Sequence, residues 1–208
     1  MKKYFIRYRR YVIFFFNYIF KECMRGLDFS MRDKHLLKAT NGKMHGYSIA
    51  PKGILNKIFK ELLIKNNDMF IDIGCGKGFV LWHASNYNFK KILGIDIDEN
   101  LIRIANRNID KLKLEKVEAI YANALDFNSY LDYNYFFLSN PFSLEIFKSV
   151  FDNIILSLKN SPRKITVIYY NPTCADYIDS TGEFILKKTL YCNIKDYYAH
   201  IYENKFYE

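Results

Sequence analysis

The sequence predicts an α/β domain: a doubly wound, mostly parallel sheet of seven strands with an antiparallel edge and an N-terminal helical extension. Three observations predict it. Short apolar runs of strand length alternate with segments of helical period. A glycine-rich turn, "IDIGCGKG" (71–78), follows the first of these runs and opens a helical stretch. The last two runs, "EFILKKTLYC" and "KDYYAHIYEN", have no helical segment between them, as expected for an antiparallel pair.

The chain opens with "MKKYFIRYRR" and then "YVIFFFNYIF". The second run is too short to cross a bilayer, which takes about 20 apolar residues. It has the basic lead of a secretory signal, but bulky aromatics fill it and no small-residue cleavage site follows in "KECMRG". Residues 1–60 carry 14 Lys+Arg against 3 Asp+Glu, whereas residues 61–208 carry 17 against 19. A near-neutral domain therefore bears a basic arm, which points to an anionic partner, a nucleic acid or a membrane surface. Arg7, Arg9 and Arg10 at headgroups, with the aromatics dipped in, is one reading. A helix packed on its own domain or on a second copy is the other.

Glycines and a proline punctuate "TNGKMHGYSIAPKG" (40–53), which divides an arm and cap, 1–53, from a domain over 54–208. "ILNKIFKELLI" follows with Ile54, Leu55, Ile58, Leu62 and Leu63 on one helical stripe. Strands are expected in "DMFIDI" (68–73), "KKILGIDID" (90–98), "KVEAIYAN" (116–123), "YNYFFLSNPF" (133–142) and "RKITVIYYNP" (163–172). Helices are expected in "FVLWHASNY", "ENLIRIANRNIDKLKL" and "SLEIFKSVFDNIILSLKN". In such a sheet the ligand crevice lies at the C-terminal strand ends.

With 208 residues, half of them apolar, one domain with a full core is the expected size. Cys23, Cys75, Cys174 and Cys192 form no C-x-x-C pair and read as the reduced thiols of a cytoplasmic protein, one that can also lie at a membrane surface. His35, His45, His83 and His200 show no ligand spacing, so no metal is expected. No Ser-His-Asp or Cys-His arrangement is apparent, and Cys75 reads as a small filler.

The turn itself carries the chemistry. Glycines at a helix start bring unpaired N–H groups close to a ligand. A dinucleotide takes G-x-G-x-x-G, but here the spacing is G-x-G-x-G and Phe79 holds the third glycine's place. Asp72, two residues before Gly74, better suits a ligand with a charged amine, such as an amino-acid end.

With "FIDIGCGKG" the chain resembles the class I S-adenosylmethionine-dependent methyltransferases, from about Tyr47 to the end. The resemblance implies a Rossmann-like fold, S-adenosyl-L-methionine as cofactor, and a cofactor site of Asp72, Gly74, Cys75, Gly76 and Gly78, with Tyr47 covering the methionine end and His45 beside it. It further implies Asp96 and Ile97 in "GIDID" for the ribose, and Asn123 and Ala124 in "YANALDF" for the adenine, with Asp126 an alternative to Asn123. "SNPF" resembles the N-P-P-[YF] loop of amine methyltransferases but has one proline fewer, and it implies Asn140, Pro141 and Phe142 beside the methyl group. Asn171, in "YYNP", should face Asn140 across the crevice. The N-P-F and N-P pair also resembles small bacterial members of unassigned substrate.

The function expected is methyl transfer to N or O of a macromolecular or surface-associated acceptor: RNA or DNA, protein, or a glycan or lipid. A catalytically silent cofactor-binding module or partner subunit is the alternative, and a nicotinamide-dependent dehydrogenase is a third reading.

Overall fold

The structure, a computed structural model, describes Phe16 and residues 18–31, 48–192 and 197–205. Residues 18–25 form a π-helical turn, Tyr18–Glu22, and a 3-10 turn, Cys23–Arg25. Then come α1 (Lys52–Glu61), β1 (Met69–Ile73), α2 (Phe79–Ala84), β2 (Lys91–Asp96), α3 (Glu99–Leu112), β3 (Val117–Tyr121), β4 (Tyr135–Leu138), α4 (Leu144–Asn160), β5 (Thr166–Tyr170), α5 (Ala175–Ser180), β6 (Phe184–Tyr191) and β7 (Tyr198–Asn204). The arm's first fifteen residues, with Arg7, Arg9 and Arg10, lie outside the described residues, as do His45 and Tyr47.

The sheet has seven strands in the order β3-β2-β1-β4-β5-β7-β6. Strands β1 to β5 run parallel, and β7 pairs antiparallel with both β5 and β6. The antiparallel pair forms this side of the sheet as expected, with β7 inserted between β5 and the outermost β6. Alternation along the strands loads both faces. Phe70, Tyr135 and Phe137 pack with α1, α2 and α3, while Ile71, Phe136 and Leu138 pack with α4 and α5. Apolar side chains on both faces are what a sheet covered on both sides requires. Strand β6 is largely exposed and carries Lys187 and Lys188 beside a bulge, features that protect a free edge.

α5 was not anticipated from the sequence; it comes after the second Asn-Pro corner. α3 starts with Asp98 as its cap, its carboxylate accepting from the N–H groups of Asn100 and Leu101. No helix among the described residues is long and apolar enough to cross a membrane.

Candidate active site

The glycine turn is selected first by conformation. Gly74, Gly76 and Gly78 have φ of 83°, 54° and 80°, a region costing an ordinary residue about 1–2 kcal/mol. Close approach comes second, and part of it is to the protein itself. A Cβ on Gly74 would lie 2.9 Å from Pro141 Cβ, so the turn closes against the corner after β4. Gly94 in β2 makes room in the same way for Cys75, whose Sγ would lie 2.7 Å from an added Cβ.

A cavity of about 360 Å³ runs along the C-terminal strand ends. Gly74 and Gly76 form part of its wall, followed by Asp96 at the end of β2 and Ile97 just after it, Asn123 and Ala124 after β3, and Asn140, Pro141 and Phe142 after β4. Asn171, after β5, completes it, so the two Asn-Pro corners share one crevice. Gly78, Cys75 and Asp72 stand behind this wall. Gly78 caps α2 and packs toward Ala105 of α3; Cys75 is buried under the turn.

Asp96 ties the wall together. Its Oδ2 accepts from Gly76 N–H at 2.8 Å and its Oδ1 from Asp98 N–H at 3.0 Å. Burial raises its pKa, and the backbone donors of Asp98 and Gly76 oppose that rise. Asp72 is buried, and its Oδ1 has no hydrogen-bond partner among the described residues. Burial, then the nearby Asp96, pushes its pKa well above the ordinary value.

A family model for a methyltransferase domain matches residues 64–207. The chain belongs to this methyltransferase family. Among curated relatives, the methyltransferase is 28% identical over 79 residues to a ribosomal protein L11 methyltransferase of Thermotoga neapolitana, covering 38% of this chain and 30% of the relative. It is 33% identical over 66 residues to a tRNA (guanine-N(7)-)-methyltransferase of Clostridium novyi, covering 31% of each. The match thus spans about a third of these relatives' length. Among solved structures, an RNA methyltransferase from Salinibacter ruber in complex with S-adenosyl-L-homocysteine superposes with a TM-score of 0.58 at 12% identity, covering 76% of this chain and 94% of that one. TrmK of M. capricolum gives 0.52 at 24% identity, covering 73% and 67%. The fold is that of the class I methyltransferases, whose cofactor is S-adenosylmethionine.

The methyltransferase's own residues fit that cofactor. A buried carboxylate with an unpartnered oxygen suits a nearby ammonium. The Asp96 carboxylate meets the backbone donors of Gly76, Asp98 and Ile97, and with about four acceptor sites it keeps capacity for a hydroxyl. Asn123 is already organised as a turn: its Oδ1 accepts from Leu125 N–H at 3.1 Å and its Nδ2 donates to Asp126 Oδ2 at 2.7 Å. The two candidates for the adenine end therefore act as a hydrogen-bonded pair, of which Asn123 reaches the cavity.

Both corner asparagines are left-handed, with φ of 46° at Asn140 and 52° at Asn171. Asn140 Oδ1 accepts from Thr173 Oγ1 at 2.6 Å and from Tyr169 Oη at 3.3 Å. Thr173 and Tyr169 were missed from the sequence, as were Tyr170 and Tyr197, which stack at 6.2 Å between centroids and line the cavity near Asn171. The signal for Thr173 was its place directly after the second Asn-Pro pair. Burial pushes the Tyr170 phenol up to about 12, so it stays protonated near neutral pH. Among the described residues no cluster of metal-ligating side chains occurs.

Proposed function

We propose that this chain transfers a methyl group from S-adenosylmethionine to a nitrogen or oxygen of a macromolecular acceptor. The observation that carries the reading is the single crevice shared by the glycine turn, Asp96 and the two Asn-Pro corners. When bound, the cofactor supplies an electrophilic methyl open to in-line displacement, so the protein's task is placement. Asp96 and the turn hold the donor end. Asn140, braced by Thr173 and Tyr169, and Asn171 border the acceptor end. An acceptor that is a neutral amine needs no general base, in keeping with a neutral Tyr170 there.

The names of the relatives support a macromolecular acceptor, protein in one case and tRNA in another. The excess of Lys and Arg in residues 1–60 supports an anionic partner. Radiolabelled methyl transfer into host extract fractionated into RNA, protein, glycan, lipid and small molecules tests the reading. Label is expected in a macromolecular fraction and lost in Asn140→Gly. Label confined to small molecules, or none in any fraction from a chain that binds S-adenosylhomocysteine, overturns it.

A further inference from the structure

We infer that Phe16 and residues 18–25 form an interfacial element that docks the domain on an anionic bilayer. Phe16, Phe20 and Met24 recur at four-residue intervals and are 62%, 52% and 70% exposed. The rings of Phe16 and Phe20 lie 4.5 Å apart, so they share a side. No residue from Tyr18 to Arg25 is buried.

The outward position of this face is imposed by the residues just after it. Leu27 and Phe29 are buried at 3% and 1% exposure. Phe29 stacks on Trp82 at 5.4 Å and meets Phe79 edge-on at 5.5 Å. Asn108 holds Asp28 at both its N–H and its C=O. The segment is thus anchored at its C-terminal end to α2 and α3, and the upstream helical turns project from that anchor.

Charge is sorted in the same way. The Glu22 carboxylate turns inward, accepting from the N–H groups of Phe29 and Ser30 and from the Ser30 hydroxyl. Asp28 is paired with Lys77 at 2.9 Å. Both acids of the segment are engaged inside, while Lys21 and Arg25 are exposed. The face that remains is apolar with basic flanks, the pattern of a helix lying in the headgroup region. Upstream, the sequence adds five Lys/Arg in residues 1–10 and the apolar run from Tyr11. A nucleic acid is held chiefly by cations spaced to phosphates, whereas here three exposed apolar side chains, Met24 at 70% among them, outnumber the two exposed cations of the segment, which favours a surface with a hydrocarbon layer beneath its charge.

The test is co-sedimentation of the full chain with vesicles of phosphatidylcholine alone and of phosphatidylcholine mixed with phosphatidylglycerol. Binding to the mixed vesicles and not to the neutral ones is expected. The triple variant Phe16→Ser/Phe20→Ser/Met24→Ser should bind about tenfold more weakly or worse, as should Lys21→Glu/Arg25→Glu. S-adenosylhomocysteine affinity, measured by calorimetry, should be unchanged in both, showing that the domain is folded. The inference is overturned by absence of vesicle binding by the parent chain, by equal binding of the triple variant, or by a dimer in solution that the triple variant dissociates. Binding to tRNA that the triple variant loses would assign the face to nucleic acid and overturn it as well. These outcomes are independent of whether methyl transfer is found.

Discussion

The Thr173 hydroxyl donates to the Asn140 side-chain carbonyl at 2.6 Å, joining the corner after β5 to the corner after β4. With Tyr169 Oη at 3.3 Å on the same oxygen, both lone pairs of that carbonyl are engaged. Asn140 is therefore held in place before any acceptor arrives. Thr173→Val removes one brace and keeps the shape. One neutral hydrogen bond is worth about 0.5–1.5 kcal/mol, so kcat should fall about two- to tenfold with little change in cofactor affinity. Asn140→Gly keeps the left-handed backbone, where φ is 46°, and deletes the side chain. It should lower kcat roughly a hundredfold while S-adenosylhomocysteine still binds, if misplacement of the acceptor is what is lost. Steady-state kinetics with calorimetry separates the two terms; equal losses in kcat and in cofactor binding would contradict this role for Asn140.

Gly74 and Gly182 make a matched comparison. Both have positive φ, 83° and 68°, but a Cβ at Gly74 meets Pro141 at 2.9 Å whereas at Gly182 nothing lies within 4 Å. Gly182→Ala should cost about 1–2 kcal/mol, the conformational term alone. Gly74→Ala adds a contact that displaces the N-P-F corner, and overpacking of this kind costs about 1–3 kcal/mol more. The melting temperature should drop further for Gly74→Ala by several degrees, at about 2–4 °C per kcal/mol for a chain of this size, and cofactor binding should weaken only in that variant.

Much of this arrangement was legible in the sequence because parallel strands force their C-terminal ends together. Asp96 ends a strand and Asn123, Asn140 and Asn171 each follow one, so finding the strands was enough to collect them. The strands were legible because their runs are apolar on both faces, as at Phe136 and Phe137. Contacts made through space were not legible. Thr173 lies 33 positions from Asn140; its place after the second Asn-Pro pair marks it as a neighbour of the crevice but not as the partner of Asn140. α5, "ADYIDS", is six residues long with only Ile178 buried, too short to show a helical period. The insertion of β7 between β5 and β6 depends on which edge each strand meets, which alternation does not encode. Reading "GCGKG" for its ligand also hid that Lys77 faces away from the crevice toward Asp28, 49 positions earlier.

The pH dependence of stability should carry the mark of Asp72. Its folded pKa is raised well above 3.8 by burial and by Asp96, so the folded state binds more protons than the unfolded chain in the window above that value. Stability supplied by the protonated form is fully present below the unfolded pKa and is lost as pH rises through the folded one. Asp72→Asn mimics the neutral form. It should raise the melting temperature of the ligand-free protein at neutral pH and flatten its decline from mildly acidic pH upward. On the proposed function, in which Asp72 answers the cofactor's ammonium from behind the glycine turn, the same variant should also bind S-adenosylhomocysteine more weakly. A melting curve series from pH 4 to 8 that is identical for both proteins would contradict this account of Asp72.

The Lys77–Asp28 pair ties the N-terminal segment to the glycine turn, and its loss should be visible at Trp82. Lys77 Nζ lies 2.9 Å from both Asp28 oxygens and 2.8 Å from Met31 O, with its side chain only 3% exposed. Asn108 Nδ2 also donates to Lys77 O, so turn, segment and α3 meet at one point. Removing one partner of a buried ion pair costs about 3–5 kcal/mol because the other keeps its desolvated charge; Asp28, 19% exposed with Arg107 at 3.9 Å, lies below that range. Lys77→Met should therefore cost about 2–3 kcal/mol. The cost should fall first on docking of the segment, since the pair joins it to the domain and spans no strand. Trp82 is the one tryptophan of the chain and stacks on Phe29 with an interplanar angle of 9°. In Lys77→Met its fluorescence change in urea should precede the loss of far-ultraviolet circular dichroism, whereas in the parent chain the two should coincide. Coincident transitions in the variant would make the segment part of the domain's cooperative core and contradict separate docking.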